Sequence, residues 1–178
     1  MQPSPNLQLE ADICQDPNQA SNREWWLANG IGGYAGGSVS GVLTRRYHGL
    51  LIAPLHPPLG RHLLLAKADA VLLEGDDETP LHSNQWRGGV YSPQGSRLIQ
   101  RFELDVGLPV WRFAINGLEI EQRIWMDHAR NQTRVAYRWC AGEPAQPLRL
   151  RLALLAAQRD HHAVSQPFSQ HFERDTLP

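Results

Sequence analysis

The sequence predicts an all-β protein, an antiparallel two-layer β-sandwich, and three observations carry that expectation. Glycine (15) and proline (13) recur at short intervals along the 178 residues, a texture of strands and turns rather than of a helical bundle. In "LPVWRFAINGLEIEQRIWM", Trp111, Phe113 and Ile115 alternate with Arg112 and Ala114. After Asn116-Gly117, Leu118, Ile120, Ile124 and Met126 alternate with Glu119, Glu121 and Arg123. Asn-Gly between two alternating runs signals a hairpin, because a type I′ turn needs positive φ at both central residues. Third, such strands have one apolar face, and that face needs a second layer to cover it.

Taken in order, residues 1–22 are polar and rich in Pro, Asn and Gln. They read as a loosely ordered lead-in with one short strand around Leu7–Leu9, and residues 23–178 read as a single domain. From Trp25 to Ala53 the pattern is strand-like but broken by glycines, which mark bulges or close backbone approach. This half is expected to form the second layer. "LHPPLG" closes it as a loop, since consecutive prolines cannot continue a ladder. "RHLLLAKADAVLLE" (61–74) is one long strand or two, "EGDDETP" is a turn, and a loop with Asn84, Trp86 and Gly88-Gly89 follows. After the hairpin, "TRVAYRWC" places Val135, Tyr137 and Trp139 opposite Arg134 and Arg138. "LRLRLALLAA" sets Leu148, Leu150, Leu152 and Leu154 against Arg149 and Arg151. The expectation is a continuous meander with one face buried and one wet.

A formal net charge of −1 argues against a nucleic-acid or membrane-surface partner, each of which calls for a basic excess. No apolar run approaches the roughly 20 residues of a bilayer span, and no signal peptide is visible at the N-terminus. Cys14 and Cys140 are too few for a disulfide framework, which makes the cytoplasm the default compartment.

The chemistry-bearing stretch is "EWWLANGIGGYAGGSVSGVLTRRYHGLL", Glu24 to Leu51, with seven glycines. It is no phosphate cradle: no Gly-Lys-[Ser/Thr] follows the glycines, and no opening helix is evident. The glycines read first as places where strands cross and pack closely. Trp25 and Trp26 point to opposite faces of a strand, so at most one is a plain core residue. Arg45, Arg46, Tyr47 and His48 are either a solvated strand entry or donors projecting into a cleft. "RDHH" (159–162) ends the last clear strand. Its histidines, with His171, lack metal-ligand spacing, and no G-x-S-x-G elbow occurs, so neither a metal site nor a serine hydrolase is expected. Glycoside hydrolysis needs two carboxylates held about 5 Å or about 6.5–9.5 Å apart. Glu24, Asp69, Glu103, Asp105, Asp127 and Asp160 are scattered, and none stands out as a raised-pKa acid.

Taken together, these blocks resemble the N-terminal domain of bacterial and archaeal glycogen debranching enzymes, the amylo-α-1,6-glucosidase family. The family pattern W-L-x-[TS]-N-G-x-G-G-Y-x-x-G-[TS]-x-x-G-x-x-T-R-R-Y-H-G-L-L is matched by Trp26, Leu27, Asn29, Gly30, Gly32, Gly33, Tyr34, Gly37, Ser38, Gly41, Thr44, Arg45, Arg46, Tyr47, His48, Gly49, Leu50 and Leu51. Its R-D-[YF]-H element is matched by Arg159, Asp160 and His162. Ala28 stands where a hydroxyl residue is usual, and His161 replaces an aromatic. The likeness runs from about Asn22 to His171.

The resemblance implies a supersandwich-like domain, expected to stop before the sandwich is closed at its C-terminal side. In the family such a domain precedes a catalytic (α/α)6 domain, which this chain lacks; the chain is therefore expected to be a fragment and inactive alone. The parent would hydrolyse α-1,6 branch points of glycogen with no cofactor. By resemblance, Trp26, Asn29, Gly30, Arg45, Arg46, Tyr47, His48, Arg159, Asp160 and His162 are candidates for the substrate cleft or the interface with the catalytic domain. No catalytic residue is expected within the chain. One alternative is a stand-alone, non-catalytic α-glucan-binding module using exposed aromatics such as Trp25, Trp86 and Trp125. Another is a structural piece that needs its partner to be stable.

Overall fold

A computed structural model describes residues 7–164; His171 lies outside them. In chain order the elements are β1 (Gln8–Glu10), α1 (Ala11–Cys14), α2 (Pro17–Ser21), β2 (Glu24–Ala28), β3 (Tyr34–Ser38), β4 (Gly49–His56), β5 (Leu59–Glu74), β6 (Asp77–Pro80), β7 (Ser83–Gln85) and β8 (Tyr91–Gln94). A 3-10 turn (Gly95–Leu98) leads to β9 (Ile99–Asp105), β10 (Leu108–Ile115), β11 (Leu118–Met126), β12 (Thr133–Ala141) and β13 (Leu148–Asp160). One sheet has the order β1-β9-β10-β11-β12 and the other β13-β5-β4-β3-β2, with β6 on β5; β7 and β8 pair with each other. All the pairings are antiparallel. The predicted sandwich is present.

The Asn116-Gly117 turn forms as the residue types require: Ile115 faces Leu118 across it, and φ is 48° at Asn116 and 84° at Gly117. Alternation then sends Phe113, Ile115, Leu118, Ile120 and Ile124 inward, where they meet Trp25, Ala70 and Leu72 of the other layer. Trp111 anchors this core. Its ring lies 5.6 Å from Trp25 and 5.0 Å from Phe102, both edge to face, and its Nε1 donates to Val39 O at 2.9 Å. Burying an aromatic of this kind contributes roughly 1.5–3 kcal/mol. The outer face of the same sheet is a charge ladder in which Arg112 reaches Glu119 and Glu121, and Arg138 also reaches Glu121.

Five expectations are corrected. From residue 7 on, the lead-in is packed rather than loose: Asp16 caps α2 by accepting from the Asn18 and Gln19 N–H groups, and Cys14 and Ala20 are wholly buried. Its short strand lies one residue later than expected. "LHPPLG" is no loop break, because His56 pairs with Leu59 and only Pro57-Pro58 make the bend, where no ladder N–H is required. "EGDDETP" turns only at its start and then supplies β6.

The largest correction concerns β13. It does not continue the meander but crosses to the other layer and pairs with β5 from Leu148↔Glu74 to Asp160↔His62. Its alternation faces the interlayer space as predicted, yet Leu150, Leu152 and Leu154 stay exposed there. Periodicity fixes which side chains share a face, not whether anything covers it.

Candidate functional site

The site lies on the outer face of the β13-β5-β4-β3-β2 sheet. Successive residues of β2 point to opposite faces, so Trp25 enters the core at 4% exposure while Trp26 points out at 46%. Register places Trp26 beside Gly36, and a Cβ there would sit 2.2 Å from the indole. The indole can therefore lie flat against the sheet only over a bare backbone. Beyond it, Ile52, Leu63 and Ala157 form a second small apolar cluster with Tyr34 packed against it. Gly49 makes room for this cluster, since a Cβ would meet Leu63 Cδ1 at 2.2 Å.

The segment Arg45–His48 and the turn Arg159–His162 close over that cluster. Their rings form a connected row. Trp26 lies 5.9 Å from Tyr34 and 5.6 Å from His48. His161 lies 6.3 Å from Tyr34 and 5.7 Å from Tyr47, and the His161 and His162 rings are 3.9 Å apart. Tyr47 Oη and His162 Nδ1 share a hydrogen bond of 3.1 Å.

Three arginines fasten the row, each differently. Arg46 donates to His162 O at 2.9 Å and stacks its guanidinium 5.3 Å from the Tyr47 ring centre. Arg159 spends its donors on backbone, giving Nη2 to Arg46 O (2.6 Å) and Nη1 to Ala163 O (2.8 Å), so it buckles the two segments together. Arg45 pairs with Glu24. His48, wholly buried, accepts from the Thr44 N–H through Nδ1 at 3.2 Å and turns Nε2 toward Glu24 Oε1 at 3.3 Å. Burial tends to raise the Glu24 pKa, but the bond from Arg45 and the nearness of His48 outweigh it and hold the carboxylate below its usual range. Burial pushes His48 down, against the pull of Glu24. Asp160 accepts the His162 N–H at 2.8 Å, and that bond is the main reason its carboxyl sits low.

Of the ten sequence candidates, eight fall within this surface: Trp26, Arg45, Arg46, Tyr47, His48, Arg159, Asp160 and His162. Asn29 and Gly30 do not. Asn29 is wholly buried, donates to Arg130 O (2.9 Å) and Asn131 Oδ1 (3.0 Å), and accepts from the Ile31 and Gly33 N–H groups. It holds its own loop against residues 130–131, and Gly30 makes room for the His128 ring. Glu24, Tyr34, Arg61 and His161 join the surface although they are not among those ten, Arg61 through its carbonyl 3.1 Å from His161 Nδ1. Glu24 and Tyr34 could have been found, since Glu24 is two residues from Trp26 on one strand and Tyr34 lies within the matched pattern. His161, which replaces the family's aromatic, still packs between rings, and Arg61 offered no signal in the sequence.

No acid in this surface resembles a proton donor for glycoside cleavage. Glu24 and Asp160 are both displaced downward by positive or hydrogen-bonding partners. The interlayer cavity of about 80 Å³ is lined by Trp25, Ala68, Ala70, Trp111 and Tyr137 and by none of the eight site residues. Among the described residues no group of three or more His, Cys, Asp or Glu side chains is placed to hold a metal.

Fold and site together define an antiparallel β-sandwich domain that presents rings and arginines on one outer sheet face. Residues 23–176 match the family model for the glycogen debranching enzyme N-terminal domain, and the chain belongs to that family. Comparison with curated proteins and with solved structures returned no match.

Proposed function

We infer that this chain serves as the N-terminal domain of a cytoplasmic amylo-α-1,6-glucosidase. In this reading the surface around Trp26, Arg45, Arg46, Tyr47 and His162 docks the catalytic (α/α)6 domain and forms one wall of the cleft for branched α-glucan. The observation that carries it is Trp26, an indole 46% exposed yet held flat over Gly36 and flanked by Tyr34 and His48. A flat aromatic face complements the CH face of a pyranose, and arginine donors beside it complement hydroxyls. Family membership supplies the glycogen context. The acids that cleave the branch point, and any hydrolysis, belong to the partner domain, because the carboxylates of this surface are held ionised by their neighbours.

The purified chain is expected to release no glucose from a branched dextrin and to be retarded in native gels containing glycogen. Replacing Trp26 by Ala should weaken that retardation about tenfold. A second reading, a glucan-binding module acting by itself, is favoured by Trp86, 59% exposed on the β7–β8 hairpin. Trp25 plays no part in it, being buried, and Trp125 is half-buried. Retardation lost in Trp86→Ala but kept in Trp26→Ala selects the second reading. Unchanged mobility of the parent chain in glycogen removes both glucan contacts.

A further inference from the structure

The chain contains two Asn-Gly dipeptides, Asn29-Gly30 and Asn116-Gly117, and the fold treats them in opposite ways. The dipeptide matters chemically because an asparagine side-chain carbonyl carbon lies within reach of the next residue's backbone nitrogen. A following glycine brings no side chain to obstruct the approach. At position 29 that reaction is blocked. The Asn29 side chain is wholly buried, both of its amide hydrogens donate, and its oxygen accepts from two backbone N–H groups. Position 116 is the reverse case. Asn116 and Gly117 are both exposed at the tip of the β10–β11 hairpin, and among the described residues the Asn116 side chain has no hydrogen-bond partner. The ladder ends at Ile115↔Leu118, which leaves the Gly117 N–H without a ladder partner.

We propose that Asn116 is a site of spontaneous covalent modification, at which the folded chain converts its own amide to isoaspartate while Asn29 is spared. The Gly117 nitrogen, on losing its proton to hydroxide, attacks Asn116 Cγ. The N–Cγ bond forms, the Cγ–Nδ2 bond breaks, and the amide leaves as ammonia after taking a proton from water. Water then opens the resulting succinimide ring. Breaking the bond from Gly117 N to Cγ gives aspartate, and breaking the bond from that nitrogen to the Asn116 backbone carbonyl carbon gives isoaspartate. The attack needs a backbone conformation other than that of the closed turn, and a hairpin tip opens far more readily than a buried, braced loop. Isoaspartate routes the main chain through the side-chain methylene and so adds one atom to the turn. Gly142 lies against Gly117 O and Leu118 Cα, so closely that a Cβ at 142 would collide with both. The lengthened turn therefore presses on the residue after β12 and loosens the tip of the β10–β11 hairpin.

A time course of the full folded chain in mildly alkaline buffer tests this, read by mass spectrometry of the tryptic peptides 113–123 and 24–45, each of which holds one Asn-Gly pair. Amide loss should accumulate in 113–123, with most of the product accepting a methyl group from a protein isoaspartyl methyltransferase. Peptide 24–45 should lag at least about tenfold, since its reaction first requires four hydrogen bonds to break. In urea the two rates should converge. Gly117→Ala, whose side chain obstructs the attacking nitrogen, should slow the loss at 116; should it also disturb the turn, the ratio of the two peptides in the parent chain still decides the matter. The isoaspartate fraction should unfold at a lower urea midpoint than Asn116→Asp, which adds the charge without lengthening the backbone, and equal midpoints contradict the loosening. Equal persistence of the amide at 116 and 29 in the folded chain overturns the proposal, as does conversion at 29 ahead of 116. A gap that survives in urea overturns it too, because the protection of Asn29 would then owe nothing to the fold.

Discussion

At the residue scale, the glycine-rich stretch is explained by close contacts rather than by a bound anion. Gly49 is the clearest case: a methyl group there collides with Leu63 and Ile52 side chains packed beneath the ring surface. Gly49→Ala is expected to cost about 1–3 kcal/mol by overpacking, read as a lowered urea midpoint with an unchanged slope. Asn29 is decisive for a different reason. Its side-chain oxygen satisfies the N–H groups of Ile31 and Gly33, the latter fully buried. Asn29→Ala leaves those donors unpaired and should destabilise by about 1–3 kcal/mol. Asn29→Asp keeps the acceptor but loses the donors to Arg130 O and Asn131 Oδ1, so it should restore only part of the loss.

At the element scale, the β7–β8 hairpin that carries Trp86 is tied to β5 by a buried polar knot. Lys67 Nζ donates to Ser83 O (2.8 Å) and Asn84 Oδ1 (2.6 Å) and pairs with Asp69 Oδ1 at 2.8 Å, while Asn84 donates to Asp69 Oδ2 at 3.0 Å. Burial pulls the Lys67 ammonium below its ordinary pKa, and Asp69 opposes that pull. Removing one partner of a buried pair leaves the other uncompensated, so Lys67→Met should cost about 3–5 kcal/mol. Hydrogen exchange should show faster opening at residues 83–94 than elsewhere. Uniform loss of protection would mean that the knot supports the whole fold and not the hairpin.

At the scale of the whole molecule, acid is expected to unfold the chain through its imidazoles. His48 and His161 both titrate below the ordinary value of 6.5, with burial the largest cause in each. The unfolded chain therefore binds protons first. Stability from the neutral rings is complete above about pH 6.5 and falls as the pH drops below it. Glu24, held below its ordinary 4.5, adds a further loss at lower pH, as its carboxylate becomes protonated. Urea midpoints at neutral and mildly acidic pH check the sign: they should fall with acidity, and less steeply in His48→Gln. A midpoint that holds or rises contradicts the assignment.

Local pattern was enough to reveal the β10–β11 hairpin, that Trp25 and Trp26 face opposite sides of one strand, and the family likeness of the Trp26–Leu51 block; which of the two tryptophans enters the core was not among these. Each of these depends on residue types a few positions apart, and strand alternation and turn chemistry operate over that range. The tertiary structure alone decided that β13 leaves the meander for β5, that Asn29 is an internal brace, and that the Arg45–His48 and Arg159–His162 segments close over one apolar cluster. Those outcomes depend on contacts between residues 74 or more positions apart, such as Leu148 with Glu74, Asn29 with Arg130 and Arg46 with His162. Alternation assigns a side chain to a face of its strand, but the partner strand and its cover are chosen by the free energy of the assembled layers, to which the local sequence contributes only one side.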